Sequence, residues 1–344
     1  KWIKETDFSV KSNYDELCTK IDMQSFIDYM SSEIYFNNID WGSNNVALWK
    51  STKLDSANPY ADGKWRFIMF DTEYSTNLYQ QALPTDDTFK KIMQEESFLS
   101  DLFNGSLRND TFKEQLSISF MDISNYNFEK SKVISMINEL SNEYHDYSID
   151  TFNRFWPYWP GGNKAESLLS DELNSLKNFY NSRFTSITSH LRSATNLKGY
   201  LCKLTINNDS SNGKIKLNTI TPMDNLDSWT GSYYTDYPIT ITATPENGYK
   251  LAYWQTSTGE KITGNTAVIK LNSDTTVTAV YEEAPLKGDI NGDGDVNIAD
   301  AVLLQKHLLK VETLTSEQAE RANLYEDDYL NSFDLVALKK LLKI

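Results

Sequence analysis

Apolar residues recur at helical spacing through the first half of the chain. Phe26, Ile27, Met30, Ile34 and Tyr35 form one series. Val133, Ile134, Met136, Ile137 and Leu140 form a second, and Leu168, Leu169, Leu173, Leu176 and Phe179 a third. Residues 1–195 are therefore predicted to be mainly helical. Two short apolar runs interrupt this pattern at 46–49 and 65–70, with Ala61-Asp62-Gly63 between them, and predict a β-hairpin with a long loop. From about residue 200 the period changes to two. The runs 239–244, 267–271 and 275–281 alternate as strands, separated by turn residues at 245–248 and 272–274. An all-β module is predicted over 200–283, and Glu282-Glu283-Ala284-Pro285 reads as a short linker.

The tail, 288–344, repeats itself. Asp293, Asn297, Asp300, Val302 and Leu308 return 34 residues on as Asp327, Asn331, Asp334, Val336 and Leu342. In the first copy, Asp289, Asn291, Asp293, Asn297 and Asp300 fall at positions 1, 3, 5, 9 and 12 of a twelve-residue loop. Asp295 offers its carbonyl at position 7, and Gly294 permits the sharp turn at position 6. A hard cation that takes six to eight oxygens at about 2.3–2.6 Å needs such closely spaced donors, so calcium is predicted here, with Asp300 as the bidentate ligand. The second copy keeps Asp327, Asn331 and Asp334. It has Asn323 at position 1, Tyr325 at position 3, Asp328 in place of glycine, and Tyr329 at position 7. A second calcium there is expected to bind weakly if at all.

Composition narrows the field. The chain has 48 acidic against 33 basic residues and a net charge of −15, which disfavours nucleic acid and suits divalent cations. No apolar run is long enough to span a membrane. Cys18 and Cys202 are far apart and read as two unpaired thiols. The chain opens at Lys1-Trp2 without a signal peptide, and is read as part of a longer secreted protein. Residues 155–162, Phe-Trp-Pro-Tyr-Trp-Pro-Gly-Gly, are the most aromatic patch. Exposed rings there would stack on sugars, but core packing between helices is the favoured reading. His145, His190 and His307 form no ligand cluster, and neither G-x-S-x-G nor H-E-x-x-H occurs.

The tail resembles a type I dockerin along its whole length. That resemblance implies an all-α module with paired EF-hand-like loops, docked to a scaffoldin cohesin in an extracellular, cellulosome-type complex. Cohesin contact is implied at Ile298, Ala299, Gln305 and Lys306, and at Ser332, Phe333, Lys339 and Lys340. The two sets differ chemically, so one binding mode is expected to dominate; Lys339 and Lys340 read equally well as a solvated face.

Within the helical region, Asp40 and Asn45 stand in D-x-x-x-x-N spacing, and Phe70-Asp71-Thr72-Glu73 follows the second apolar run. Together with Phe26-Ile-Asp-Tyr, Gly63-Lys-Trp-Arg-Phe, Arg154-Phe-Trp, Leu176-Lys-Asn-Phe179 and Arg183, this stretch resembles the CotH family of atypical, spore-coat kinases over 1–195. The resemblance implies a kinase-like C-lobe using Mg2+ and ATP. Asp40 would take the catalytic-loop role, with Asn45, Asp71 and Glu73 at the metal. Phe70 stands where the family has Trp, Glu73 where it more often has Asp, and the glycine expected after the motif is absent. The nucleotide-gripping N-lobe is expected upstream of Lys1; if Lys1 were the true start, the chain would be a pseudokinase or scaffold. The middle module resembles the divergent InlB B-repeat, a β-grasp-like spacer, with Trp254 as a core anchor.

The expected whole is a multidomain α+β protein, monomeric and secreted. Its parts are 1–195 kinase-like, 200–283 β module and 288–344 dockerin. Phosphoryl transfer to a protein or other acceptor is the leading function. A non-catalytic carbohydrate- or protein-binding module and an accessory glycoside hydrolase of polysaccharide breakdown are the alternatives.

Overall fold

The computed structural model describes residues 1–155, 164–223, 226–325, 327 and 329–343. Its first part is helical: α1 Trp2–Glu5, α2 Lys11–Lys20, α3 Met23–Tyr35, α4 Thr88–Gln94, α5 Phe98–Ser106, α6 Asp110–Tyr126, α7 Lys130–Phe155 and α8 Lys164–Thr195. Strands β1 Ala47–Trp49 and β2 Arg66–Ile68 pair antiparallel, with Ala47 opposite Ile68 and Trp49 opposite Arg66. This is the predicted hairpin.

Helix α3 is the spine of that part. Asp22 caps it by accepting the Ser25 N–H, and Phe26, Ile27, Met30 and Ile34 are wholly buried against α6 and the hairpin. Phe67 of β2 stacks on Tyr29 and Phe26, so the short hairpin is held by aromatic burial more than by its three-residue ladder. The α7 series forms its predicted helix yet buries none of its described residues; Met136 and Leu140 stay about half exposed. Of the aromatic patch, 156–162 lie outside the described residues, and Phe155 is exposed.

The β module has two sheets. The larger runs in the order β5 Ser228–Tyr234, β3 Leu201–Asn207, β10 Thr275–Glu283, β7 Tyr249–Thr256, β8 Lys261–Ile262. The smaller is β4 Gly213–Leu217, β6 Ile239–Pro245, β9 Thr266–Ile269. Only the β3–β10 pair is parallel; every other pair is antiparallel. Trp254 is fully buried between the sheets' residues and donates its indole N–H to the Gly264 carbonyl, as a core anchor should.

The module does not hang loosely from the helices. One continuous apolar core runs from Phe8 through Leu191 and Leu204 to Ala279. Polar contacts cross the seam as well. Asp122 of α6 accepts from Asn218, Thr219 and the Tyr233 hydroxyl, and Asn125 exchanges two bonds with the Ser232 backbone. Cys18 and Cys202 are both free thiols, Cys202 being buried.

The tail has its own small core around Ile290, Leu304 and Leu338, with α9 Ile298–Leu308, α10 Ser316–Ala322 and α11 Ser332–Leu341. Asn247 brackets Lys287 by bonding both its N–H and its carbonyl. The Lys287 ammonium then reaches the carbonyls of Glu320 and Asn323. The linker is thus pinned at both ends. No helix among the described residues is long and apolar enough to cross a membrane.

Candidate functional site

The turn that follows α3 carries the first acidic residue. Asn37 is left-handed at φ 57°, and Asn38 is fully buried, which together fold the chain back toward β2. Trp41 sinks into the core and donates to the Tyr29 hydroxyl at 2.7 Å, so Asp40 is left exposed on an anchored turn. Gly42 closes it at φ 111°. A Cβ there would lie 2.0 Å from the Glu95 carboxylate, which itself accepts the Ser43 N–H.

Asn45 closes the loop onto Asp40. Its Nδ2 donates to the Asp40 carbonyl at 2.9 Å and to Oδ2 at 3.3 Å, and Asn44 donates to Oδ1 at 3.2 Å. With the Asn45 amide nitrogen engaged, its Oδ1 is the atom left for an ion. Behind the turn, Lys91 donates to the Ile39 carbonyl at 2.8 Å. Burial pulls its pKa down, while Glu95, Asp40 and Asp86 oppose that shift.

Asp71 and Glu73 meet this turn from the end of β2. Asp71 is left-handed at φ 57° and exposed. A hydrogen bond with the Glu73 carboxyl, and then that group's charge, hold the Asp71 pKa above the usual carboxylate range. Slight burial adds to this, and the charge of Asp40 contributes last. Asp71 thus pairs with Glu73 within reach of the charge of Asp40, to which Asn45 is bonded. Arg66, the neighbour that would neutralise Asp71 were it merely a strand-end carboxylate, is committed elsewhere. It forks onto Asp62 at 2.8 and 3.0 Å and pairs with Asp22 at 3.0 Å.

Two residues central to this geometry escaped sequence reasoning. Arg183, quoted there only as part of a motif, is fully buried and places all five N–H groups. Its acceptors are the carbonyls of Ile34, Tyr35, Pro84 and Asp86 and the Thr88 hydroxyl. It closes the C-terminus of α3 directly before the Asp40 turn. Glu33, on α3, is wholly buried behind that turn and bonds Asn38. A charged residue inside an apolar helical series was its only signal.

In the tail, Asp289 is nearly buried and accepts the N–H groups of Gly292, Asp293 and Gly294, folding the loop around itself. Asp300, fully buried, accepts from Ile290 and Asn291 through one oxygen and from Asn297 through the other. The second loop repeats this: Asp334 accepts from Leu324, Tyr325 and Asn331. Asn297 and Asn331 cap α9 and α11 in matching capping boxes. Asn291 and Asp293 are exposed and bonded to each other, and Asp295 is exposed. Asp328 lies outside the described residues. Asp327 accepts the Tyr329 N–H, and Asn323 donates to the Asp327 carbonyl while its buried Oδ1 has no partner.

Among the described residues no three Asp, Glu, His or Cys side chains converge tightly enough to enclose a metal ion alone. Both implied cations remain compatible with the donors present. Magnesium is held by one or two carboxylates plus substrate phosphates, so the Asp71 side needs no third acid. The tail loops offer oxygen donors alone, including the orphaned Asn323 Oδ1. Asp300 already serves three N–H groups, which leaves about one lone-pair site free. All eight expected cohesin-contact residues are exposed.

Fold and site define a multidomain α+β protein: a helical body with an acidic cluster at a hairpin end, a β module, and a helical tail on twin loops. The chain belongs to the CotH kinase protein family, whose profile matches residues 1–187. Residues 218–285 match the divergent InlB B-repeat domain and 287–343 the dockerin type I domain. These matches imply a kinase-like body and a calcium-binding tail that docks to a cohesin. No curated protein and no solved structure matches the chain.

Proposed function

We propose that this chain is a secreted component of a cellulosome-type assembly, docked by residues 288–344 and carrying phosphoryl-transfer machinery on residues 1–195. The intervening β-grasp-like module, 200–283, is a rigid spacer. The observation that carries the catalytic reading is the contact between the Asp71 and Glu73 carboxyls beside Asp40. Two carboxyls in hydrogen-bond contact either share a proton or await a cation. They are too close to flank a glycosidic bond, which needs about 5 Å or more between the pair, so a hydrolase reading is disfavoured.

In this reading Asp71 holds the metal with Glu73 supporting it, Asn45 adds its amide oxygen, and Asp40 orients the acceptor hydroxyl and takes its proton. Mg2+ with ATP would supply the transferable phosphoryl group and a positive charge to offset that of the two carboxylates. In the tail, Asp289, Asn291, Asp293, the Asp295 carbonyl, Asn297 and Asp300 hold calcium. Asn323, Asp327, the Tyr329 carbonyl, Asn331 and Asp334 form the weaker second set. Cohesin is contacted through Ile298, Ala299, Gln305 and Lys306 or through Ser332, Phe333, Lys339 and Lys340. Calorimetric titration of the full-length protein with Mg2+ and ATP tests the catalytic reading. Asp71→Ala is expected to weaken binding at least about tenfold, a loss of about 1.4 kcal/mol. Equal binding by variant and wild type removes the kinase assignment.

A further inference from the structure

Glu33 has no place in the chemistry just described, yet it is the most anomalous side chain near it. It sits on the buried face of α3 with no exposure, and its Oε1 has no hydrogen-bond partner. Burial pushes its pKa up to about 7, and only the Asn38 bond counters this. A core that merely needed filling there would be served better by methionine, because an under-bonded buried carboxyl is destabilising. Its one strong contact therefore needs a reason.

That contact is with Asn38, also fully buried, whose amide touches both halves of the acidic site. Asn38 Nδ2 donates to Glu33 Oε2 at 3.1 Å and to the Asp71 carbonyl at 3.4 Å. Its Oδ1 accepts the Asp40 N–H at 3.1 Å. We propose that Glu33 is a positioning residue: it fixes the orientation of the Asn38 amide, and Asn38 holds the Asp40 and Asp71 backbones in register. Asn38 can donate only from its NH2 end, and Glu33 Oε2 accepts from it. The NH2 end of Asn38 must then face Glu33, which leaves the oxygen for Asp40. Without that acceptor only the longer bond to the Asp71 carbonyl holds the NH2 end in place, and each turn of the amide sets two donors against each other at Asp40. The link matters for function only if Asp40 and Asp71 work together, so in that respect it rests on the phosphoryl-transfer reading.

Two substitutions separate positioning from packing. Glu33→Met fills the space, removes the acceptor and should keep or raise the melting temperature. Glu33→Gln keeps one acceptor oxygen. In the full chain, Glu33→Met is expected to speed hydrogen exchange at the Asp40 amide at least about tenfold. It should also weaken binding of Mg2+ with ATP at least about tenfold. Glu33→Gln should restore both to within about threefold of wild type. Unchanged Asp40 exchange in a folded Glu33→Met protein overturns the proposal, as does equal loss in both variants. Nucleotide binding in Asp71→Ala is measured alongside. If Asp71→Ala binds like wild type while Glu33→Met still frees the Asp40 amide, the positioning role stands and the kinase reading falls.

Discussion

Arg183 donates its Nε–H to the Tyr35 carbonyl at 2.7 Å, joining residues 148 positions apart in the chain. The bond ends α3 in a way water does elsewhere, since the last carbonyls of a helix have no partner within it. The other four donors hold the Pro84–Thr88 segment and Ile34, so one cation ties the helix end to the start of α4. Burial lowers its pKa to about 10, which still leaves it charged at neutral pH.

Lysine cannot replace it. A single ammonium has three donors and no planar fork, so Arg183→Lys loses at least two of the five bonds, although the Ile34 and Asp86 carbonyls keep the N–H groups of Asn37 and Thr88. Each such bond to a charged donor contributes about 1.5–3 kcal/mol, so a loss of roughly 3–6 kcal/mol is expected. Urea unfolding of variant and wild type measures it. A difference below about 0.5 kcal/mol, the scatter of ordinary surface substitutions, would show that water enters and satisfies the carbonyls.

The seam between helices and β module should respond to pH. Asp122 is fully buried, and burial raises its pKa to about 6 despite the bonds it accepts from Asn218, Thr219 and Tyr233. Below about pH 4 the folded and unfolded chains both carry the proton and the group is neutral to stability. As pH rises toward 6 the unfolded chain ionises first, so stability falls and the full cost is present above 6. That cost is roughly 3 kcal/mol. Glu33, raised to about 7, adds a slope of the same sign at slightly higher pH. Comparing Asp122→Asn with wild type between pH 4 and 7 isolates the Asp122 share. Parallel stability curves would mean that the carboxylate is as well solvated in the fold as outside it.

What could be read along the chain was what repeats locally. The period-two runs became strands β6, β9 and β10, and the 46–49 and 65–70 runs became the β1–β2 pair. The tail repeat was legible as matching positions, but not the three N–H groups that Asp300 and Asp334 each accept. Asp40, Asn45, Asp71 and Glu73 were named from spacing and resemblance; Asn45 bonds Asp40, and Asp71 meets Glu73. The supporting residues were hidden because their partners are far away in sequence. Asp122 meets Tyr233 across 111 positions and Asn125 meets Ser232 across 107. On α6 they look like the polar side of an amphipathic helix. Periodicity likewise marked α7 as amphipathic but could not say that its apolar stripe would be only partly covered.

The second tail loop offers the sharpest test of how a departure from a pattern is read. Sequence alone demotes it, since Asn323 lacks the charge expected at position 1. In the fold, Asn323 keeps the place of Asp289: its Nδ2 donates to the Asp327 carbonyl, and its Oδ1 is buried without a partner among the described residues. A buried acceptor left unpaired costs about 1–3 kcal/mol, and a cation would relieve it. Asn323→Asp replaces a neutral donor with an anionic one in the same volume. It should tighten the weaker of two calcium sites at least about tenfold in calorimetric titration. Asn323→Ala should remove that site and leave the first unaffected. Because metal that binds only the folded chain stabilises it, EDTA should lower the melting temperature of the tail further in Asn323→Asp than in Asn323→Ala. Identical calcium isotherms for all three proteins would mean that no ion meets Asn323, and that its oxygen is satisfied by water.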